Sequence, residues 1–473
     1  MNPQIRSATF RGLTVALMLL LGAPIRAAEI DELRAQMEAM KADYQARMQA
    51  LEQRLAQLEA QTAAAPAVPA QAAPAPVVAE VPTSTGMGGG GNSANAFNPA
   101  ISVILGGRYT QTSADPATYA IAGFIPAGDA VGPGDRSFNV DESEVTLAAN
   151  IDPYFYGNLT TAINGDNSIS VEEAFVKTLA LPAGLQVKGG RFFSGLGYLN
   201  EIHAHAWDFV DQPLVYQAMF NSQLAQDGVQ LKWLAPTDMF VEFGAESGNG
   251  QRFPGTRLHG NGLNGAVLMI HLGDDIGDSI SWRAGLSWLS QQAEQRDFSD
   301  VDASGGAVTD AFSGDSKTWI ADATLKWSPQ GNNTQRALKL QGEYMQRSED
   351  GQLAYDTAGQ NLVGGYHSHQ SGWYLQTVYQ FLPRWRFGVR YDSMDSGSMD
   401  IGLVTHGVLP AADFTTLAPA TPDRLSMMFD WNPSEFSRLR LQYAWDHARA
   451  YTHDQQLMLQ YLYSIGAHGA HKF

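Results

Sequence analysis

Residues 457–473 read LMLQYLYSIGAHGAHKF. Leu457, Leu459, Tyr461, Tyr463, Ile465, Ala467 and Gly469 share one face, with the terminal Phe473 in the same register, while Gln460, Ser464, His468 and Lys472 take the other. Successive side chains of a strand point to opposite sides of the sheet. This segment therefore reads as a strand with one apolar, ring-bearing side and one polar side, as required where lipid lies on one side and water on the other.

The same alternation recurs upstream between turn signals. Strands are expected near 100–110, 138–151, 154–163, 170–180, 185–193, 225–234, 239–247, 263–272, 279–290, 317–328, 335–347, 368–381, 385–393, 423–431, 438–450 and 456–473. Their connections alternate in length. Asp152-Pro153, Leu181-Pro182-Ala183-Gly184, Ala235 to Asp238, Gly273 to Asp278, Ser328 to Thr334, Leu382-Pro383-Arg384 and Asn432 to Ser437 are tight turns. The stretches 111–137, 194–224, 291–316, 348–367 and 394–422 read as long loops. A barrel in an outer membrane has short turns at one end and longer loops at the other. Aromatic residues flank the short turns, among them Tyr154, Trp233, Trp327, Trp385 and Trp431, a suitable level for a headgroup boundary. The expected fold is all-β: a closed antiparallel transmembrane β-barrel of about 16 strands over residues 97–473.

Three segments precede it. Arg6 and Arg11, the apolar run Leu13 to Leu21, then Gly22, Pro24, Ala27 and Ala28 have the order of a secretory signal, placed at 1–27. The run is shorter than the roughly 20 residues of a spanning helix. In 28–62, Ile30, Leu33, Met37, Met40, Tyr44, Met48, Leu51, Leu55 and Leu58 form a heptad seam with one stutter at Met48. A short periplasmic coiled coil is expected there, and homo-oligomerisation through it. Residues 63–96, rich in Ala, Pro and Gly, read as a disordered linker.

Composition narrows the function. The 473 residues include no Cys, which excludes disulfides and a thiolate nucleophile, and the formal charge of −18 argues against nucleic acid as a partner. No G-x-S-x-G elbow or H-E-x-x-H helix is present, and an enzyme is not expected. A barrel of about sixteen strands is too wide to fill with side chains, which makes transport the default.

The terminal strand resembles the C-terminal sorting strand of bacterial outer-membrane proteins, which implies a barrel-assembly signal at Tyr461, Tyr463, Ile465 and Phe473 and the barrel assembly machinery and outer-membrane lipids as partners. The strand Leu185-Gln-Val-Lys-Gly-Gly-Arg-Phe-Phe193, running into Ser194-Gly-Leu-Gly197 and a loop to Leu224, is similar to the phosphate-selective porins and related coiled-coil-bearing siderophore porins. That resemblance implies a third external loop folded into the lumen and setting its constriction, with Lys188, Arg191, Glu201, Trp207 and Asp211 as the residues to examine. Passive uptake of small solutes across the bacterial outer membrane follows as the expected function. Anion selectivity would need a basic lumen, for which Lys177, Lys188, Arg191, Lys232, Lys326 and Arg390 are candidates; the chain's overall charge opposes it.

His203 and His205 share a face in an extended segment, and with Asp208 they form a donor set suited to zinc or another divalent metal, as cargo or as ligand. No other cofactor is expected. His367 and His369 repeat the spacing, and His468 with His471 lie near the C-terminus. The alternative function is a zinc-related or siderophore-linked uptake receptor of the TonB-dependent type. Such receptors resemble barrels of twenty-two strands filled by a plug domain, and no plug fits ahead of the first strand.

Overall fold

The computed structural model describes residues 99–165, 168–256 and 261–466. The expected export signal, coiled coil and linker, and Phe473, His468 and His471, lie outside them. The strands are β1 (Ala100–Thr112), β2 (Ser137–Asn150), β3 (Phe155–Ile163), β4 (Ile169–Thr178), β5 (Leu185–Phe193), β6 (Ala225–Leu234), β7 (Phe240–Gly248), β8 (Gly265–Ile276), β9 (Ile280–Val301), β10 (Ala307–Trp327), β11 (Ala337–Tyr355), β12 (Leu362–Leu382), β13 (Trp385–Ile401), β14 (Asp423–Ser434), β15 (Ser437–His447) and β16 (Asp454–Gly466). Each pairs with its sequence neighbours, and β1 pairs antiparallel with β16. The described residues thus form the closed all-β barrel of sixteen strands expected from the alternation. Closure leaves no unpaired edge, which a sheet in lipid requires.

The barrel inverts the usual distribution of side chains. Leu459, Tyr461, Tyr463 and Ile465 of β16 are exposed on the outside, with Leu441 and Trp445 of β15 and Trp373 and Leu375 of β12. Their neighbours in sequence, Gln456, Gln460, Gln442, Asp446, Gln370 and Gln376, are buried in the interior. At the short-turn end Trp385 and Trp431 stack with centroids 5.7 Å apart. A face of this kind is stable only against an apolar solvent.

Two expected loops are strands. Much of 291–316 and of 348–367 extends the ladder, giving β9, β10, β11 and β12 lengths of 22, 21, 19 and 21 residues. About 9–11 residues cross a bilayer, so these strands project well beyond one. Above the apolar belt the outward positions are polar, for example Gln292, Glu294, Asp297 and Ser299 on β9, while Arg296, Phe298 and Asp300 point in. With mixed polarity on both sides, hydropathy alternation vanishes although the strand continues. The receptor alternative called for twenty-two strands, and the barrel closes with sixteen.

Candidate functional site

The loop after β5 folds into the barrel. Its neck is tied by Asn200, which is fully buried: Nδ2 donates to the carbonyls of Ser194 at 2.8 Å and Leu224 at 2.9 Å, and Oδ1 accepts from the Leu224 amide at 2.8 Å. The loop is then held by carboxylates on the inner wall. Glu246 of β7 accepts from Ser194 Oγ at 2.5 Å and the Gly195 amide at 2.8 Å. Glu343 of β11 accepts from the amides of Tyr198 and Leu199 at 3.1 Å, from Tyr216 Oη at 2.8 Å and from Tyr374 Oη at 2.7 Å. Gly197, at φ +63°, lies so close to Glu343 that a Cβ would collide with its carboxylate.

Further along, Asp208 accepts from Lys339 Nζ at 2.9 Å and Arg386 Nη1 at 3.1 Å. Asp211 accepts from Arg390 Nη2 at 2.8 Å, Arg424 Nη1 at 2.7 Å and Gln442 Nε2 at 2.9 Å. The carbonyl of Trp207 accepts from Arg440 at 2.9 Å and Arg438 at 3.2 Å. Burial raises both aspartates, but the adjacent cations outweigh it, holding Asp208 far below the carboxylate range and Asp211 at about 2. The short helix α1 (Leu214–Phe220) is wholly buried and packs in one apolar cluster with Val267, Met269, Leu289, Ile320, Met345, Tyr374 and Met394 from the walls. Anchors on β7, β11 and β13–β15 place the loop across the lumen. The first external loop joins it. Ile121 and Phe124 enter the same cluster, Gln370 donates to the Gly123 carbonyl at 2.8 Å, and Gln217 of α1 accepts from the Gly132 amide at 2.9 Å.

His203 and His205 meet β2 and β4. His203 Nδ1 lies 3.3 Å from Glu144 Oε2 and 3.3 Å from Glu172 Oε2, and its Nε2 lies 3.1 Å from Glu173 Oε2. His205 Nδ1 lies 2.7 Å from Glu144 Oε1, and the two imidazoles stack with centroids 5.8 Å apart. Burial would lower the His203 pKa, but hydrogen bonds to Glu144, Glu172 and Glu173 hold it well above the usual histidine value. Single donor atoms of Glu144, Glu172 and His203 all lie within 4.8 Å of one another.

Several sequence expectations need correction. Asp208 is not part of the histidine cluster; five residues beyond His203, it is taken by the cations of β11 and β13. Arg191 does not face the lumen. It pairs in register with Ala174 and Asp227 on the outer face and binds Asp227 through Nε at 2.6 Å and Nη2 at 2.8 Å. Lys188 points inward from the same strand, and residues three apart on a strand cannot share a side. Lys188 lies 4.0 Å from Glu201, which also takes Lys232 at 3.4 Å. Trp207 is tucked against its own loop, its Nε1 donating to the Ile202 carbonyl at 2.7 Å. His367 faces outward, 2.7 Å from Asp350 on an exposed wall.

Inward cations collect at the short-turn end. Lys177, Lys188, Lys232, Arg283, Lys326, Lys339, Arg386, Arg438 and Arg440 all occupy inward register positions near those turns. These nine cations lie among seven carboxylates that interact with them, Glu173, Glu201, Asp208, Glu242, Glu246, Asp322 and Asp430.

Fold and site together define a sixteen-stranded transmembrane-type barrel with a lumen-spanning third loop. The chain belongs to the family of an uncharacterised protein of Aquifex aeolicus (strain VF5), to which it is 31% identical over 358 residues, 72% of this chain and 70% of the relative. No family model matches the sequence. Among solved structures, OmpT of Vibrio cholerae aligns with a TM-score of 0.49 and 9% identity over 78% of this chain and 97% of that one. The DcaP outer-membrane channel of Acinetobacter baumannii aligns at 0.46 with 11% identity over 78% and 97% of the two chains. An anion-selective porin from Comamonas acidovorans aligns at 0.47 with 10% identity over 78% and 99%.

Proposed function

We propose that this protein is a porin-like channel of the bacterial outer membrane, passing small solutes down their gradient through a lumen narrowed by its third loop. The observation that carries the reading is the attachment of residues 194–224 to β7, β11 and β13–β15 by buried carboxylates and arginines. A loop held so firmly inside a barrel serves to set the width and charge of the passage. Lys188, Glu201, Trp207 and Asp211 belong to that constriction on this reading, the charged three through ion pairs and Trp207 through its hydrogen bonds. Arg191 does not.

The excess of inward cations at the short-turn end supports small anions as the preferred solutes. The chain's −18 charge does not oppose this, because selectivity follows the field at the pore and not the total. The phosphate-selective and siderophore-porin subtypes remain resemblances of sequence plan. A coiled coil in the periplasm, joined to the barrel by residues 63–96, would add self-association.

The test is single-channel recording of the purified protein in a planar bilayer under a salt gradient. Discrete conductance steps with a reversal potential on the anion-selective side are expected. Absence of any step, from protein whose folded state is verified by heat-modifiable gel mobility, would remove the channel reading; a cation-selective potential would remove the solute class.

A further inference from the structure

We infer that His203, Glu144 and Glu172 form a divalent-metal site, best suited to zinc, that clasps the third loop to the barrel wall. Zinc bound by imidazole nitrogen and carboxylate oxygen has arms of about 2.0–2.2 Å, and two ligands at a tetrahedral angle then lie about 3.3–3.5 Å apart. His203 Nδ1 stands 3.3 Å from Glu144 Oε2 and 3.3 Å from Glu172 Oε2, so two edges of the polyhedron already have that length. The third edge is looser, within 4.8 Å.

The surrounding groups match what such a centre requires. Glu173 meets the other imidazole nitrogen of His203 at 3.1 Å, the carboxylate–histidine pairing that orients a metal-bound ring. His205 meets the second oxygen of Glu144 at 2.7 Å and so fixes that carboxylate's rotation. Glu144 is almost wholly buried, and its charge lies beside those of Glu172 and Glu173. A proton on His203 offsets one of these three charges, whereas a dication offsets two, and the third, on Glu173, also has Lys188 nearby. Nitrogen and carboxylate donors without a thiolate favour zinc over softer-ligand metals, and three protein ligands leave a fourth position for water.

The ligands come from β2, β4 and the loop, so the ion would act as a removable staple between wall and constriction. This inference rests on the loop's place in the lumen and not on which solute passes. It is tested by calorimetric titration of zinc chloride into the EDTA-treated full chain in detergent, with cobalt(II) absorption as a second readout. One saturable zinc site per barrel is expected, with visible d–d bands on cobalt loading. His203→Ala and Glu172→Gln should each weaken zinc at least tenfold and remove the bands, and His205→Ala should weaken it about tenfold while retaining them. Wild-type protein with no saturable uptake, or His203→Ala and Glu172→Gln variants that bind zinc as wild type does, would overturn the site. Heat-modifiable mobility verifies that each variant is folded, and Glu172→Gln, a change on β4 and not in the loop, serves if His203→Ala is not. Conductance is recorded separately, so a failed zinc titration leaves the channel reading untouched.

Discussion

Replacing Asp211 by asparagine removes the charge that joins the third loop to two walls at once. The carboxylate accepts from Arg390, Arg424 and Gln442 at 2.7–2.9 Å, and both arginines are essentially buried. Breaking a buried ion pair costs about 3–5 kcal/mol, because the remaining charge stays in a poorly solvating site. Here Asp392 stays within 3.1 Å of Arg390 and 3.3 Å of Arg424, so part of the compensation survives and the lower end, about 3 kcal/mol, applies. At about 1.4 kcal/mol per tenfold, the segment 208–214 should detach about 100 times more often. The neck at Asn200 and the anchors at Glu246 and Glu343 are untouched, so the loop should swing from its far side and not leave the barrel. Single-channel recording of Asp211→Asn should show larger or noisier conductance levels, with protease cleavage appearing between 204 and 214. A folded variant with wild-type conductance and protease resistance would refute the anchoring argument.

Other consequences follow from the same geometry. Gly197→Ala combines a positive φ with a collision against Glu343 and should cost at least about 1–2 kcal/mol, read as a lower thermal midpoint of the folded barrel. Asp208 and Asp211 have lowered folded-state pKa values, so their contribution is present above the ordinary carboxyl pKa of about 4 and disappears as pH falls through the folded value. The hold of this part of the loop should therefore persist to roughly pH 3 and be lost near pH 2, where Asp211 titrates, read as a conductance change there that Asp211→Asn lacks. Arg191→Leu leaves Asp227 with Arg252 as its remaining cation and should destabilise the barrel in lipid vesicles by up to about 1 kcal/mol in urea unfolding, while Arg191→Leu with Asp227→Leu should recover most of the loss.

The barrel was readable because lipid contact imposes strict alternation, and in β16 every outward position from Leu457 to Ile465 obeys it. Strand lengths were not, since residues such as Gln292 and Asp297 leave the membrane belt and lose the pattern while keeping the ladder. In the loop, His203 and His205 were legible as a pair, but their partners Glu144, Glu172 and Glu173 lie on β2 and β4, at sequence distances no local spacing encodes. Glu246 and Glu343 were missed for the same reason, although Glu343 sits at an inward position beside the outward Tyr344. The outward face of Arg191 was available from parity with Lys188. The apolar inner patch of Val267, Met269, Leu289, Ile320 and Met345 also had a signal, since apolar residues on both faces of a strand imply something packed inside.

The central claim is that the third loop occupies the lumen, and the absence of native cysteine permits a direct test. A Cβ placed on Gly372 of β12 would lie 3.0 Å from Val215 Cγ2 of α1, close to the Cβ–sulfur separation across a disulfide, with only the end of the Met394 side chain to move aside. Val215→Cys combined with Gly372→Cys should form an intramolecular disulfide under mild oxidation in native membranes, seen as a mobility shift reversed by reductant. A folded double variant whose two thiols both remain alkylatable after oxidation would place the loop elsewhere.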